Sequence, residues 1–354
     1  MPSRVSIFPA VIACSMAVAV GNHTATMAAV PGPKPRIIGQ LVDPIALNGV
    51  EDVHLEGDLL YLPCREGKRL TICSISDPTR PTVVSSFTHP DLGPVGGLAI
   101  HDDTVYLASQ GNRRLFVLDV SNPSEPRLQG STTLGAKGGA LYKVAYRARH
   151  CYVAHLDEKK LFVVNVETPT RPSVVGSVAV TDAKDGPFSV LLRENYALVG
   201  TIFGNRNRLS VIDLRVPSEP RRIYELTAPN LGHASGEFVG DNLYAVNWNR
   251  NAFFTIDVSD ASHPRLLGML IDSRLGMPNR CAVEGDRAYL PMVAGHGVAV
   301  VGIETPQKPR FITAWSNPVL RKTYGAAVRG NLLLLGARDG SSLVIVDRFS
   351  LEPD

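Results

Sequence analysis

A chain of 354 residues is long enough for two or three ordinary domains, or for one large ring or barrel, so length alone leaves the domain count open. With 44% hydrophobic and 19% charged residues, 31 Gly, 26 Pro and no low-complexity tract, the composition is that of a folded protein with a large core, and disorder is excluded. The 36 Lys and Arg against 33 Asp and Glu leave a formal charge of +3 with no basic block, so the electrostatic footprint of a nucleic-acid binder is missing and nucleic acid is not an expected partner.

Residues 1–30 read as a secretory signal peptide. Arg4 supplies the charge, Val5 to Val20 the apolar stretch, and the small residues up to Ala28-Ala29-Val30 the cleavage zone. Pro31 opens the mature pattern, so residues 31–354 are expected as a single exported domain, periplasmic, secreted or at the cell surface. Val11-Ile12-Ala13-Cys14 also resembles a lipoprotein signal, but the apolar run continues past Cys14 through Met16 and Val18, which argues against lipidation. The leader is short for a membrane span, and no later segment approaches the necessary length.

Beyond the leader stand Cys64, Cys73, Cys151 and Cys281, without CxxC spacing and each in a strand-like apolar run. That pattern disfavours zinc and fits buried free thiols, although a Cys64–Cys73 bridge across a hairpin is compatible with an oxidising compartment.

A short signature starting with proline recurs seven times, at Pro35, Pro81, Pro126, Pro172, Pro220, Pro264 and Pro309, with separations of 46, 45, 46, 48, 44 and 45 residues. A period near 45 is the size of a four-stranded propeller blade. Most of these prolines follow a β-rich pentad ending in Asp or Asn: Leu115 to Asp119, Leu161 to Asn165, Leu209 to Asp213, Phe253 to Asp257 and Leu343 to Asp347, with degenerate copies at Leu70 to Ser74 and Val298 to Gly302. Between each proline and the next pentad lie two further β-like runs joined by a turn. Gly57-Asp58, Gly240-Asp241, Gly285-Asp286 and Gly330-Asn331 supply tight hairpins there.

Each repeat therefore predicts four strands: A innermost, B, C on the pentad and D after the proline. The β-branched, period-two runs exclude helical repeats. The last repeat has no D strand and the first D strand, near Arg36 to Gln40, has no preceding C, so pairing the two ends closes a seven-bladed all-β propeller and removes unpaired edges.

The pentad Leu343-Val344-Ile345-Val346-Asp347 and its copies resemble the LVIVD-repeat family over roughly residues 33 to 347. The resemblance implies a secreted or cell-surface β-propeller and brings no catalytic residues with it. The repeated acids Asp119, Asp213, Asp257 and Asp347 are expected to cap the turns that follow them.

What a blade needs should recur, whereas an asymmetric ligand site must be made from residues that break the repeat. Aligning the blades on the A–B hairpin gives two columns at the start of strand A: Asp52, Gly97, Lys143, Phe188, Ser235, Arg280 and Gly325, preceded by Glu51, Gly96, Tyr142, Pro187, Ala234, Asn279 and Tyr324. Two more columns at the end of strand B contain His155 and Asn247, followed by Arg65, Trp248 and Arg338. The expected channel-mouth site thus comprises Glu51, Asp52, Arg65, Tyr142, Lys143, His155, Phe188, His233, Glu237, Asn247, Trp248, Arg280, Tyr324 and Arg338. His233 and Glu237, four apart, straddle a loop-to-strand transition where that spacing does not indicate a metal, and no metal or cofactor is expected.

The first functional expectation is a monomeric module binding a small molecule, glycan or protein at the channel mouth. The second is an enzyme of lyase, isomerase or hydrolase type. In it His155 or Tyr324 would act as general base or acid, with Lys143 and Arg280 neutralising an anionic substrate. Neither a nucleophile elbow, a P-loop nor a dinucleotide fingerprint occurs in the chain. The enzyme reading requires His155, Lys143, Arg280 and Tyr324 to converge on one pocket.

Overall fold

The computed structural model describes residues 35–181, 184–202 and 208–352. The leader lies outside the described residues. Seven antiparallel sheets follow one another around a ring, each with strand order A-B-C-D. Blades I to VI occupy residues 54–87, 95–133, 141–179, 186–227, 235–271 and 282–316. Blade VII combines residues 323–347 with the N-terminal strand Ile37–Val42, which pairs with Ser342–Asp347. Arg36 forms an ion pair with Asp347, and the Asp347 amide donates to the Arg36 carbonyl at 2.9 Å.

Strands B and C are apolar without alternation because both of their faces are buried. Seven apolar clusters fill the ring, and each joins two neighbouring blades. The seam is no exception: Leu334, Leu343 and Ile345 of blade VII pack with Leu60, Leu62 and Cys73 of blade I.

The proline signature also carries an inter-blade contact. Every D strand holds a register shift about three residues after its proline. At the residue after the shift, Gly39, Gly130, Gly176 and Gly268 lie against the C–D turn of the next blade, where an added Cβ would fall within 3.0 Å of the carbonyl oxygens of Pro78, Pro169, Pro217 and Pro306. Blade I has Ser85 at this position, and its hydroxyl donates to the Pro123 carbonyl at 2.6 Å.

The pentad acids cap turns as expected. Asp119, Asp213 and Asp257 each accept from the amide two residues on, at 2.9, 3.0 and 2.9 Å. The four hairpin glycines have φ between +56° and +62°, and blades II and IV place Asp102 and Glu194 in the same left-handed region.

All four cysteines outside the leader are free and buried. The Cys64–Cys73 alternative does not hold, because Cys64 pairs with Arg69 and Cys73 with Leu60, which places the two thiols at different levels of the hairpin. Burial pushes both thiols up to about 12.

Placing a valine at Gly176 should cost about 1–3 kcal/mol by overpacking against the Pro217 turn. Ser85→Ala should cost about 1 kcal/mol by removing one hydrogen bond. Equilibrium denaturation checks both, and a Gly176→Val protein as stable as wild type would contradict the packing role of this glycine.

Candidate functional site at the channel mouth

Successive side chains of strand A point to opposite faces of the blade, so residues two apart share a face. The first inward row contains Asp52, Lys143 and Arg280, contributed by blades I, III and VI. Lys143 Nζ lies 2.9 Å from Asp52 Oδ2, and Arg280 Nη1 forms an ion pair with the same oxygen. Both cations therefore reach past an intervening blade, and in each case that blade has glycine in the row. A Cβ at Gly97 of blade II would sit 3.0 Å from Lys143 Cδ, and one at Gly325 of blade VII would sit 2.6 Å from the Asp52 backbone.

His54, two residues along the same strand face, places Nε2 3.3 Å from Asp52 Oδ2. The other Asp52 oxygen accepts from the Val53 amide at 2.9 Å. Asp52 is sealed from solvent, with its side chain 1% exposed. Burial alone would raise its pKa, but Arg280, Lys143 and His54 outweigh that and hold it well below the usual carboxylate range. Glu237 occupies the second row and accepts from the Val283 amide at 2.7 Å. Burial raises its pKa and the charge of Arg280 partly offsets this.

Above this hub the rim divides into two halves. The polar half runs over blades VII, I and II. Arg338 pairs with Glu66 at 2.9 Å through Nε, approaches Glu51 at 3.6 Å, and donates to the Tyr324 hydroxyl at 3.3 Å. Glu51 is buried and its pKa is raised by burial, against the opposing pull of Arg338, Arg65 and Lys143. Arg65 is half-buried and makes no ion pair among the described residues.

The aromatic half runs over blades III to V. Tyr142 and Phe188 have ring centroids 4.7 Å apart, Phe188 stacks on His233 at 4.3 Å, and Trp248 meets His233 edge-on at 6.5 Å. His233 is sealed, and burial pushes its pKa down to about 3, so it serves here as a neutral aromatic. Phe188 lies at the break in strand A of blade IV, which is split into Gly186–Pro187 and Leu191–Arg193.

Two expected residues serve other purposes. Asn247 donates to the Asn230 carbonyl at 2.8 Å and caps the 3-10 turn Trp248–Arg250. His155 is not brought to Lys143, Arg280 and Tyr324. Its ring packs against Phe162 at 5.6 Å, its Nδ1 accepts from the Glu158 amide at 3.4 Å, and its remaining polar neighbours include Asp157, Arg113 and the Leu134 backbone. Convergence of the four residues named for acid–base chemistry is therefore corrected to convergence of Lys143 and Arg280 alone, with Tyr324 above them on the rim.

Sequence reasoning passed over His54, which shares the inward face of Asp52 by period two, and Gln110, which stands in the rim column between Arg65 and Trp248. It also missed a sealed cluster in blade IV, where Asp185 accepts from Thr181 at 3.1 Å and Thr201 at 2.9 Å and lies 3.2 Å from Arg208. Thr201 and Arg208 come from strands B and C of the blade and Thr181 from the segment that enters it, and no spacing announces them.

The model of the LVIVD repeat matches residues 49–89, 93–133 and 237–271, which coincide with blades I, II and V. The protein is a β-propeller that carries LVIVD repeats. No curated protein matches the chain. Among solved structures it is similar to the β-propeller domain of Cps50 (Swd1) from Myceliophteria thermophila, with 15% identity and a TM-score of 0.68 over 88% of this chain and 99% of that one. It is also similar to Kuenenia stuttgartiensis hydrazine synthase, with 11% identity and a TM-score of 0.65 over 87% and 97% of the two chains. Sqt1 of Saccharomyces cerevisiae shares 9% identity with a TM-score of 0.60 over 88% and 98%. At these identities the likeness is one of fold.

His233 supplies a pH test of the aromatic half. The unfolded chain protonates this histidine near 6.5, whereas the folded pocket refuses the proton until about 3. Stability is therefore fully retained above pH 6.5 and falls as the pH drops toward 3, by up to about 1.4 kcal/mol per unit from this group. In His233→Phe the decline between pH 6.5 and 4 should be shallower than in wild type, as read from denaturation midpoints. Parallel curves for the two proteins would contradict the sealed, neutral state of His233.

Proposed function

We propose that this LVIVD-repeat propeller is an exported binding module whose ligand seats in the channel mouth. One observation carries the reading. Asp52, Lys143 and Arg280, from three non-adjacent blades, meet at a single point where the sevenfold repeat is broken. Residues that shape a blade recur around the ring, as the D-strand glycines and pentad acids do. The rim residues Glu51, Arg65, Tyr142, Phe188, Trp248, Tyr324 and Arg338 stand in columns that change from blade to blade, with Tyr and Arg each in two blades only.

Export is supported by the leader pattern of residues 1–30, and among the described residues no helix is long and apolar enough to cross a membrane. Binding without turnover is the better supported reading, because the candidate base His155 faces the loop that joins blades II and III. The Tyr324 hydroxyl is held by Arg338, and burial raises its pKa, which makes it a poor base at neutral pH.

The test is a thermal-shift screen of the exported protein against glycans, small acids and peptides, with Tyr142→Ala and Trp248→Ala run in parallel. A ligand of the mouth should raise the Tm by mass action, and that rise should be lost in both variants. Stabilisation that persists in both would place the ligand elsewhere and contradict the proposal.

A further inference from the structure

The two halves of the rim, taken with the hub beneath them, specify a ligand class, an inference that rests on the reading of the mouth as a binding site. The two carboxylates nearest the hub are sealed and the cations around them are not. The side chains of Asp52 and Glu51 are 1% and 9% exposed, whereas Lys143, Arg280 and Arg338 keep 14%, 23% and 24%. Glu66, the better exposed acid, is already taken up by Arg338 through two nitrogens. Arg65 stands at the same rim without an ion pair among the described residues. On the side of Arg65 and Arg338, among the described residues, an entering ligand therefore meets guanidinium donors before an unpaired carboxylate, and the exposed Asp157 beside Tyr142 is taken up by the Gly139 and Ala140 amides.

A further donor points the same way. Gln110 is 7% exposed and its amide nitrogen lacks an acceptor; a Cβ at the rim glycine Gly96 would sit 2.9 Å from that nitrogen. Within the aromatic half, the indole nitrogen of Trp248 is buried and likewise lacks an acceptor, so a polar substituent on the body of a ligand could also be met there. A buried donor without an acceptor is costly, and an acceptor oxygen brought into the mouth would relieve that cost. The rest of the rim, over blades III to V, presents the uncharged rings of Tyr142, Phe188 and Trp248 as an aromatic wall.

We propose that the mouth takes a small amphipathic acid, with its carboxylate on the Arg65, Arg338 and Gln110 side and its apolar or aromatic body against Tyr142, Phe188 and Trp248. The wall selects for the body by stacking and area burial. The arginines select for the planar, bidentate head, which an amide or an amine does not reproduce.

Calorimetric titration of the exported protein with 3-phenylpropanoate, 3-phenylpropanamide, 3-phenylpropylamine and propanoate separates these contributions. The acid with the ring should bind at least tenfold more tightly than each of the other three. Arg65→Gln should weaken it about tenfold while leaving the amide unchanged, and Trp248→Ala should weaken acid and amide alike. Amide or amine binding as tight as the acid would overturn the anion assignment and leave the mouth standing as a binding site of another selectivity. No binding of any of the four at millimolar concentration would overturn the ligand class, and the broader screen would then decide on the binding reading by itself.

Discussion

The arrangement of the mouth depends on how the ring is closed. Blade VII is completed by Ile37–Val42 from the other end of the chain, and the seam is tied by the strand pairing, the Arg36–Asp347 ion pair and a shared apolar cluster. Closure removes two open sheet edges, which a propeller cannot leave exposed without risking association. It also sets the distance between blade VI and blade I. Arg280 reaches Asp52 across blade VII, so the hub of the channel exists only while the seam is shut. The D-strand glycines act in the same direction at other interfaces, because each lets the turn of the next blade approach to contact and so fixes the angular step of the ring.

Within this frame the charges are arranged for position more than for stability. Burying Asp52 with two cations carries a desolvation cost that its ion pairs roughly repay, and such pairs are weak evidence of net stabilisation. What they do provide is a fixed point. Asp52 holds Lys143 and Arg280 with part of their surface facing the channel, and Glu237, anchored on the Val283 amide, balances the charge of Arg280 from below. The rim above is rigid for a different reason. Its aromatic residues are stacked in series from Tyr142 to Trp248 and held in packed surroundings. A preorganised site of this kind loses little side-chain entropy on binding.

The fold was legible because the repeat is legible. The proline spacing counts the blades, the pentads mark the strands buried on both faces, and the missing last D strand points to the N-terminal segment that replaces it. The hub was legible in part, since aligning the blades on their hairpins placed Asp52, Lys143 and Arg280 in one column. His155 was misplaced for a period-two reason. The column at the end of strand B faces the interface between blades, as Cys64, Met292 and Ala337 in the apolar clusters show, and the adjacent column of Arg65, Gln110, Trp248 and Arg338 faces the mouth. The roles of Gly97 and Gly325 were hidden as well, because a glycine that clears the path of a side chain from another blade leaves no local signal.

The most direct test is a double-mutant cycle on Asp52→Ala and Arg280→Ala, residues far apart in sequence that meet only through the closed ring. Their unfolding free energies should be strongly non-additive, with a coupling above about 1 kcal/mol, because each single change strands the other charge in the channel. Additivity within about 0.5 kcal/mol would mean that the two side chains do not share a site, and it would contradict the convergence on which the account of the mouth is built.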